Sequence, residues 1–284
     1  MSLEMSTQTP RSMGYRMPAE WEVHEATWLS WPKNPLTFPP DIIGPVESIF
    51  AQMASALSGG EMVKILVDDG LEERVRSKLE DAGAAMSRIQ FVRIRSADVW
   101  IRDYGPTFLT SPSAGKALVK WRFNAWGGKY DDLLYDDRTG EDIARFVGIT
   151  SFRPGIVLEG GSIDVNGRGS VLTTEQCLLN KNRNPEMTRT DIESCLKAYL
   201  NVDNIIWLKS GIEGDDTDGH IDDFARFVSP TRVLCAHSMS ERTANAAVLK
   251  QNLDLLSTAR DQDGSALEVV KLPMPNPLWL EAER

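Results

Sequence analysis

Residues 213–223 read Glu-Gly-Asp-Asp-Thr-Asp-Gly-His-Ile-Asp-Asp, six carboxylates and one histidine in eleven positions. A histidine changes charge near neutral pH, and a carboxylate held beside it makes an acid–base group suited to a cationic substrate. His220 is one of three histidines in the chain, and Asp222 follows it by two residues. In an extended segment that spacing sends both side chains to one face. The apolar run 224–228 directly afterwards predicts a strand, and residues at a strand mouth in α/β proteins face clefts.

Two metal readings compete for the same loop, and both fail on ligand chemistry. Aligning Gly219 with the turn glycine of a calcium loop puts Gly214 at the first ligand position and Ala225 where a bidentate Glu is required. Asp216 and Asp218 do not supply the nitrogen and sulfur ligands that zinc collects. No metal is expected. Of the other histidines, His24 lies among Trp21, Trp28 and Trp31 and reads as a core or turn residue, while His237 ends a strand.

A second cluster is Ala97–Pro106, where Asp98 and Asp103 flank Trp100 and Arg102, and Gly105-Pro106 forces a turn. A carboxylate beside an aromatic face can hold a planar cation, pairing with a guanidinium while the ring stacks on it. Two glycine turns add to this. Glu159-Gly160-Gly161 lets the backbone come close to a ligand or another strand, and Asn124-Ala125-Trp126-Gly127-Gly128 sets an aromatic on a turn. Neither turn is a dinucleotide fingerprint.

Alternating elements must position these groups. Strands are predicted over 26–31, 62–67, 89–94, 117–123, 161–165, 170–174, 204–208, 224–228, 232–236 and 266–272. Helices are predicted over 41–57, 71–82, 139–147, 188–200 and 240–256. Asp41 is expected to cap the first helix, with Ile42, Val46, Ile49, Met53 and Leu57 as its core face. The βα units recur in layout without a linker, so periodicity leaves a doubly wound sheet and a ring of βαβ-containing units both open.

Composition narrows the function. With 31 basic and 41 acidic residues the formal charge is −10, which repels nucleic acid and anionic membranes and favours a small cationic partner. No membrane span or signal pattern is visible, so a cytoplasmic location is expected. Cys177, Cys195 and Cys235 show no CxxC spacing, which suits a reducing compartment. Residues 1–14 are expected to be a disordered tail or leader, and 15–284 a single domain.

Together these clusters resemble the agmatine deiminase and bacterial peptidylarginine-deiminase-like family of guanidine-modifying enzymes. The matching runs are Met17–Pro32, Asp98–Pro106, Phe123–Lys129, Leu158–Gly167, Thr173–Pro185 and Gly214–Asp223, in the family's order. The resemblance implies an α/β fold, a five-bladed pseudo-symmetric propeller of the pentein type. About four blades are expected within 284 residues, the C-terminal blade being absent. It implies hydrolysis of a guanidino group by covalent thiol catalysis, with agmatine converted to N-carbamoylputrescine and ammonia and no cofactor. The runs assign Asp103 and Asp222 as the carboxylates that grip the guanidinium, facing each other across it. They assign His220 as acid–base and Glu159 as a pocket carboxylate. Trp100 becomes a pocket wall, and Asp218, Trp126 and Gly161 further substrate contacts.

The family's nucleophilic cysteine sits near its C-terminus in a Gly-rich His-Cys context, which the chain does not reach by Arg284. Residues 272–284 resemble a mid-sequence run of the family instead. Each cysteine present reads as a small buried hydrophobe. The alternatives are a peptidylarginine deiminase, an amidinotransferase relative, or a guanidinium binder without turnover. A homo-oligomer is compatible with all of them.

Overall fold

The computed structural model describes residues 8–275. Within them lie four three-stranded sheets, twelve strands in chain order. The first sheet is wholly parallel, β1 (Ala26–Ser30), β2 (Met62–Leu66) and β3 (Ile89–Val92). Each parallel step needs a crossover, and α1 (Ile43–Ser58) and α2 (Glu72–Asp81) supply them.

The other three sheets repeat one plan, a hairpin whose second strand pairs parallel with a third. They are β4 (Thr107–Ser111), β5 (Gly115–Val119) and β6 (Thr150–Phe152); β7 (Asp164–Val165), β8 (Ser170–Thr174) and β9 (Asn204–Leu208); and β10 (Ala225–Ser229), β11 (Arg232–His237) and β12 (Glu268–Pro273). Between these strands lie short helices α3 (Ile101–Tyr104), α4 (Ala125–Gly128) and α6 (Glu175–Leu178). The longer α5 (Asp136–Val147), α7 (Arg189–Leu200) and α8 (Ala246–Thr258) are the crossovers. The recurring layout of the sequence is thus a recurring sheet plan.

The chain divides into two compact units where no linker composition marked a boundary. One takes Met1–Gly160 and Lys181–Asn201, the other Gly161–Asn180 and Val202–Arg284. In the first, Trp31, Ala54, Val63, Ile65, Val75 and Leu79 form one core and Leu66, Tyr104, Phe123, Trp126 and Ile143 another. In the second, Leu172, Leu208, Phe227, Val233, Leu249 and Leu256 pack together.

Several expectations shift. The face expected to bury α1 is turned outward: Ile42, Ile49 and Met53 are exposed, while Glu47, Ala51, Ala54 and Ser58 are buried. Glu47 decides the rotation, because Trp31 and Arg74 hydrogen-bond its carboxylate and Lys78 pairs with it. Ile42 occupies the cap position without a side-chain bond, and Asp41 caps nothing. β4 escaped the sequence reading because Thr107 and Ser111 take two of its three inward positions. α8 begins at Ala246 instead of Ser240, since Ser238 and Thr243 hydroxyls bond nearby backbone and compete with helix. Of the expected tail, residues 11–13 form a 3-10 turn ended by left-handed Gly14, and residues 1–7 lie outside the described chain.

Candidate active site

In the first unit, Asp103 is buried on α3 and accepts the indole N–H of Trp126 at 3.1 Å. Trp100 precedes α3, is 44% exposed, and meets Trp126 edge to face with ring centroids 6.0 Å apart. The Trp126 turn is held in place by its neighbours. Ala125, Trp126, Gly127 and Gly128 all have positive φ, with Trp126 at 54°. Such a conformation costs a non-glycine residue about 1–3 kcal/mol and survives only where surroundings enforce it. Here Asn124 accepts the Gly127 N–H at 2.8 Å and donates to the Asn182 carbonyl at 2.9 Å. A Cβ on Gly127 would lie 2.3 Å from the Asn182 side chain, so the first glycine of this turn is obligatory.

Glu159 and Arg183 form an ion pair of 2.7 Å with both side chains fully buried. Arg183 also donates to Asn182 at 2.9 Å, so the Glu159 carboxylate and the Trp126 turn share one scaffold. The neighbouring Gly160 packs against the Arg102 carbonyl, only 2.1 Å from where a Cβ would stand. Arg183 and Asn182 carried no functional weight in the sequence. The run Thr173–Pro185 that contains them was their only signal.

In the second unit, His220 is 2% exposed and its Nδ1 lies 3.8 Å from the Asp222 carboxylate. The two come together through a 3-10 turn, Ile221–Asp223, and not through the extended segment that the sequence spacing implied. Asp215 fixes the loop: it accepts from the Thr217 hydroxyl, from Thr217 N–H at 2.6 Å and from Gly219 N–H at 2.5 Å. Thr174 donates to the Gly219 carbonyl at 2.6 Å, and His220 N–H reaches the Thr217 hydroxyl at 3.2 Å. Asp218 is half-buried with φ 65°, and Gly161 is buried in the 3-10 turn Gly160–Ser162.

Charges within this loop are graded. Burial raises Asp215, yet its hydrogen bonds from Thr217 and Gly219 and the nearby His220 outweigh that and hold it below the usual carboxylate range. Asp223 moves the other way. Burial and then the carboxylates of Asp215 and Asp222 push it up to about 7, so near neutral pH the loop holds a carboxyl poised between its two forms. Cys177 is fully buried, with its sulfur within 4.8 Å of a His220 ring nitrogen. Sequence reasoning singled out neither Asp223 nor this Cys177–His220 proximity.

The two units therefore carry, respectively, a carboxylate with aromatic walls and a histidine–carboxylate loop on a repeated α/β sheet plan. The family model for Porphyromonas-type peptidyl-arginine deiminases matches residues 16–284, and the chain belongs to that family. Its relatives include the agmatine deiminase of Stutzerimonas stutzeri, 43% identical over 277 residues, covering 96% of this chain and 74% of the relative. The agmatine deiminase of Pseudomonas aeruginosa is 41% identical over 282 residues, covering 98% and 75%. A solved structure described as the agmatine deiminase of Enterococcus faecalis catalysing its reaction matches with a TM-score of 0.88 at 34% identity, covering 97% of this chain and 74% of that one. Among the described residues no helix is long and apolar enough to cross a membrane.

Proposed function

We propose that the protein is a deiminase that hydrolyses the guanidino group of agmatine to a ureido group, giving N-carbamoylputrescine and ammonia. The observation that carries this reading is that relatives 41–43% identical over nearly the whole chain are agmatine deiminases. Asp103 and Asp222 are assigned to pair with the guanidinium, because a cationic substrate is stabilised by carboxylates and not by an oxyanion hole. Glu159 is assigned to the substrate pocket, with Trp100 and Trp126 as aromatic walls and Asp218 and Gly161 as further contacts.

The chemistry follows from a thiolate adding to the guanidinium carbon. As the tetrahedral adduct collapses, His220 in its protonated form gives its proton to the departing nitrogen, which leaves as ammonia. The amidino-thioether then takes a water, one proton of which goes to His220; as the adduct collapses the remaining hydroxyl proton passes to the released ammonia, giving ammonium, and expulsion of the thiolate yields the urea. The attacking thiolate is assigned to none of Cys177, Cys195 and Cys235, all of which are buried. A pentein propeller remains the architecture we assign to the whole fold.

The family description favours a second reading, hydrolysis of peptidyl-arginine. Protein expressed from the complete reading frame, assayed for ureido product and ammonia, separates the two: agmatine should be turned over with a higher kcat/KM than free arginine or an arginine-containing peptide. A faster reaction with the peptide would overturn the agmatine assignment. Agmatine binding without product would indicate a non-catalytic binder. His220→Ala should abolish turnover while agmatine affinity stays within about tenfold.

A further inference from the structure

Asp136 is 1% exposed, carries a carboxylate and lies outside the six sequence runs that carry the family resemblance. It is the first residue of α5, and its two oxygens accept consecutive backbone N–H groups, Ala97 at 2.6 Å and Asp98 at 3.0 Å. Its neighbours on the helix reinforce the contact. Thr139 donates to the Arg95 carbonyl at 2.9 Å, and the Arg95 guanidinium lies over the Tyr135 ring at 4.5 Å. The first turn of α5 thus holds residues 95–98 much as a neighbouring strand would.

Asp98, also fully buried, extends the grip toward the substrate residues. Its carboxylate accepts Val99 N–H at 2.8 Å and the Thr37 hydroxyl. Its carbonyl accepts the Ser30 hydroxyl at 2.9 Å and the Tyr104 hydroxyl at 3.1 Å. Tyr104 follows Asp103, so the segment that bears Trp100 and Asp103 is tied at both ends to Asp98. A carboxylate that only filled space in the core would be expensive, since burial of an acid needs full hydrogen bonding to be tolerated. Between them these two carboxylates accept three consecutive backbone N–H groups of one loop, Ala97, Asp98 and Val99, and Thr139, Thr37 and Asn34 complete their bonding.

We propose that Asp136 and Asp98 are positioning residues that fix Trp100 and Asp103 for binding the guanidinium. This rests on the reading of Asp103 and Trp100 as substrate residues. Displacement of a binding group by an ångström can cost about a hundredfold in rate, so loosening the loop should act on substrate binding well before it unfolds the protein. Neither residue touches substrate.

The test compares Asp136→Asn, Thr139→Val and Asp103→Asn in the full-length protein, with agmatine as ligand and substrate. Asp136→Asn retains one acceptor for two N–H groups and should raise KM and the calorimetric Kd by about tenfold to a hundredfold with a smaller change in kcat. Thr139→Val frees the Arg95 carbonyl and removes the Thr139 hydroxyl's 3.0 Å bond to Asp136 while leaving both backbone N–H bonds of Asp136 in place, so it should give a milder rise of the same kind, which keeps the test open if Asp136→Asn fails to fold. Val75→Ala, a core truncation in the same unit, controls for lost stability and should leave KM unchanged. If Asp103→Asn binds agmatine normally, the substrate reading fails and the proposal falls with it. If Asp103→Asn loses binding while Asp136→Asn and Thr139→Val keep wild-type KM, or if Val75→Ala raises KM as much as they do, the positioning role alone is overturned.

Discussion

The indole N–H of Trp126 donates to the carboxylate of Asp103 from a backbone held at φ 54°. A left-handed tryptophan joined to a buried acid fixes the orientation of both, and the acid is the one assigned to the guanidinium. Trp126→Phe keeps the ring against Trp100 and deletes the donor. A charge-assisted hydrogen bond is worth about 1.5–3 kcal/mol, so kcat/KM for agmatine should fall roughly ten- to a hundredfold. An unchanged kcat/KM would separate Trp126 from the function of Asp103.

The Arg183–Glu159 pair should behave as buried ion pairs do. Arg183→Met leaves the Glu159 carboxylate facing an apolar side chain and should cost about 3–5 kcal/mol in urea denaturation. Adding Glu159→Gln removes the stranded charge and should restore part of that loss, although it deletes a residue assigned to the substrate pocket. Equal losses in the single and double variants would mean that the pair's charge is unimportant to the fold.

Burial alone pushes the Cys195 thiol up to about 12 and the Cys235 thiol up to about 11. Only a thiolate is an effective nucleophile, so neither thiol should react in the folded protein. Iodoacetamide at pH 8, followed by peptide mass spectrometry, should leave both unmodified until denaturant is added. Rapid native-state alkylation of either would reopen its assignment as the nucleophile.

Burial also lifts the Asp136 carboxyl from 3.8 to about 6, outweighing its hydrogen bonds from Ala97, Thr139 and Asp98. The folded chain then holds that proton more tightly than the unfolded chain. Folding stability from this group is fully present below about pH 4 and is lost as pH rises to about 6. A difference of two pH units at one site amounts to on the order of 3 kcal/mol. Burial raises Asp98 as well, so the two slopes run the same way. Urea denaturation between pH 4.5 and 7 should show wild-type stability declining more steeply with pH than that of Asp136→Asn. Parallel profiles would mean that Asp136 does not titrate in this range.

By itself the sequence determined the alternation of strands and helices, because side-chain periodicity is a local property that each segment carries with it. It determined the family too, through six ordered runs that include Asp103, Glu159, His220 and Asp222. Local pattern also misled where a single interaction outweighed it. The apolar stripe of α1 predicted the wrong face because Glu47 is drawn inward by Trp31, Arg74 and Lys78, partners 16, 27 and 31 residues away in the chain. His220 and Asp222 were legible as a pair, yet a 3-10 turn unites them because Asp215 and Thr217 bend the loop ahead of them. Asp136 was silent in the sequence for the same reason: an aspartate at a helix start looks like an ordinary cap until folding brings residues 97 and 98 onto it. Periodicity records which side of an element is apolar, whereas the direction of a buried charge is set by partners distant in sequence, and only the tertiary structure chooses those.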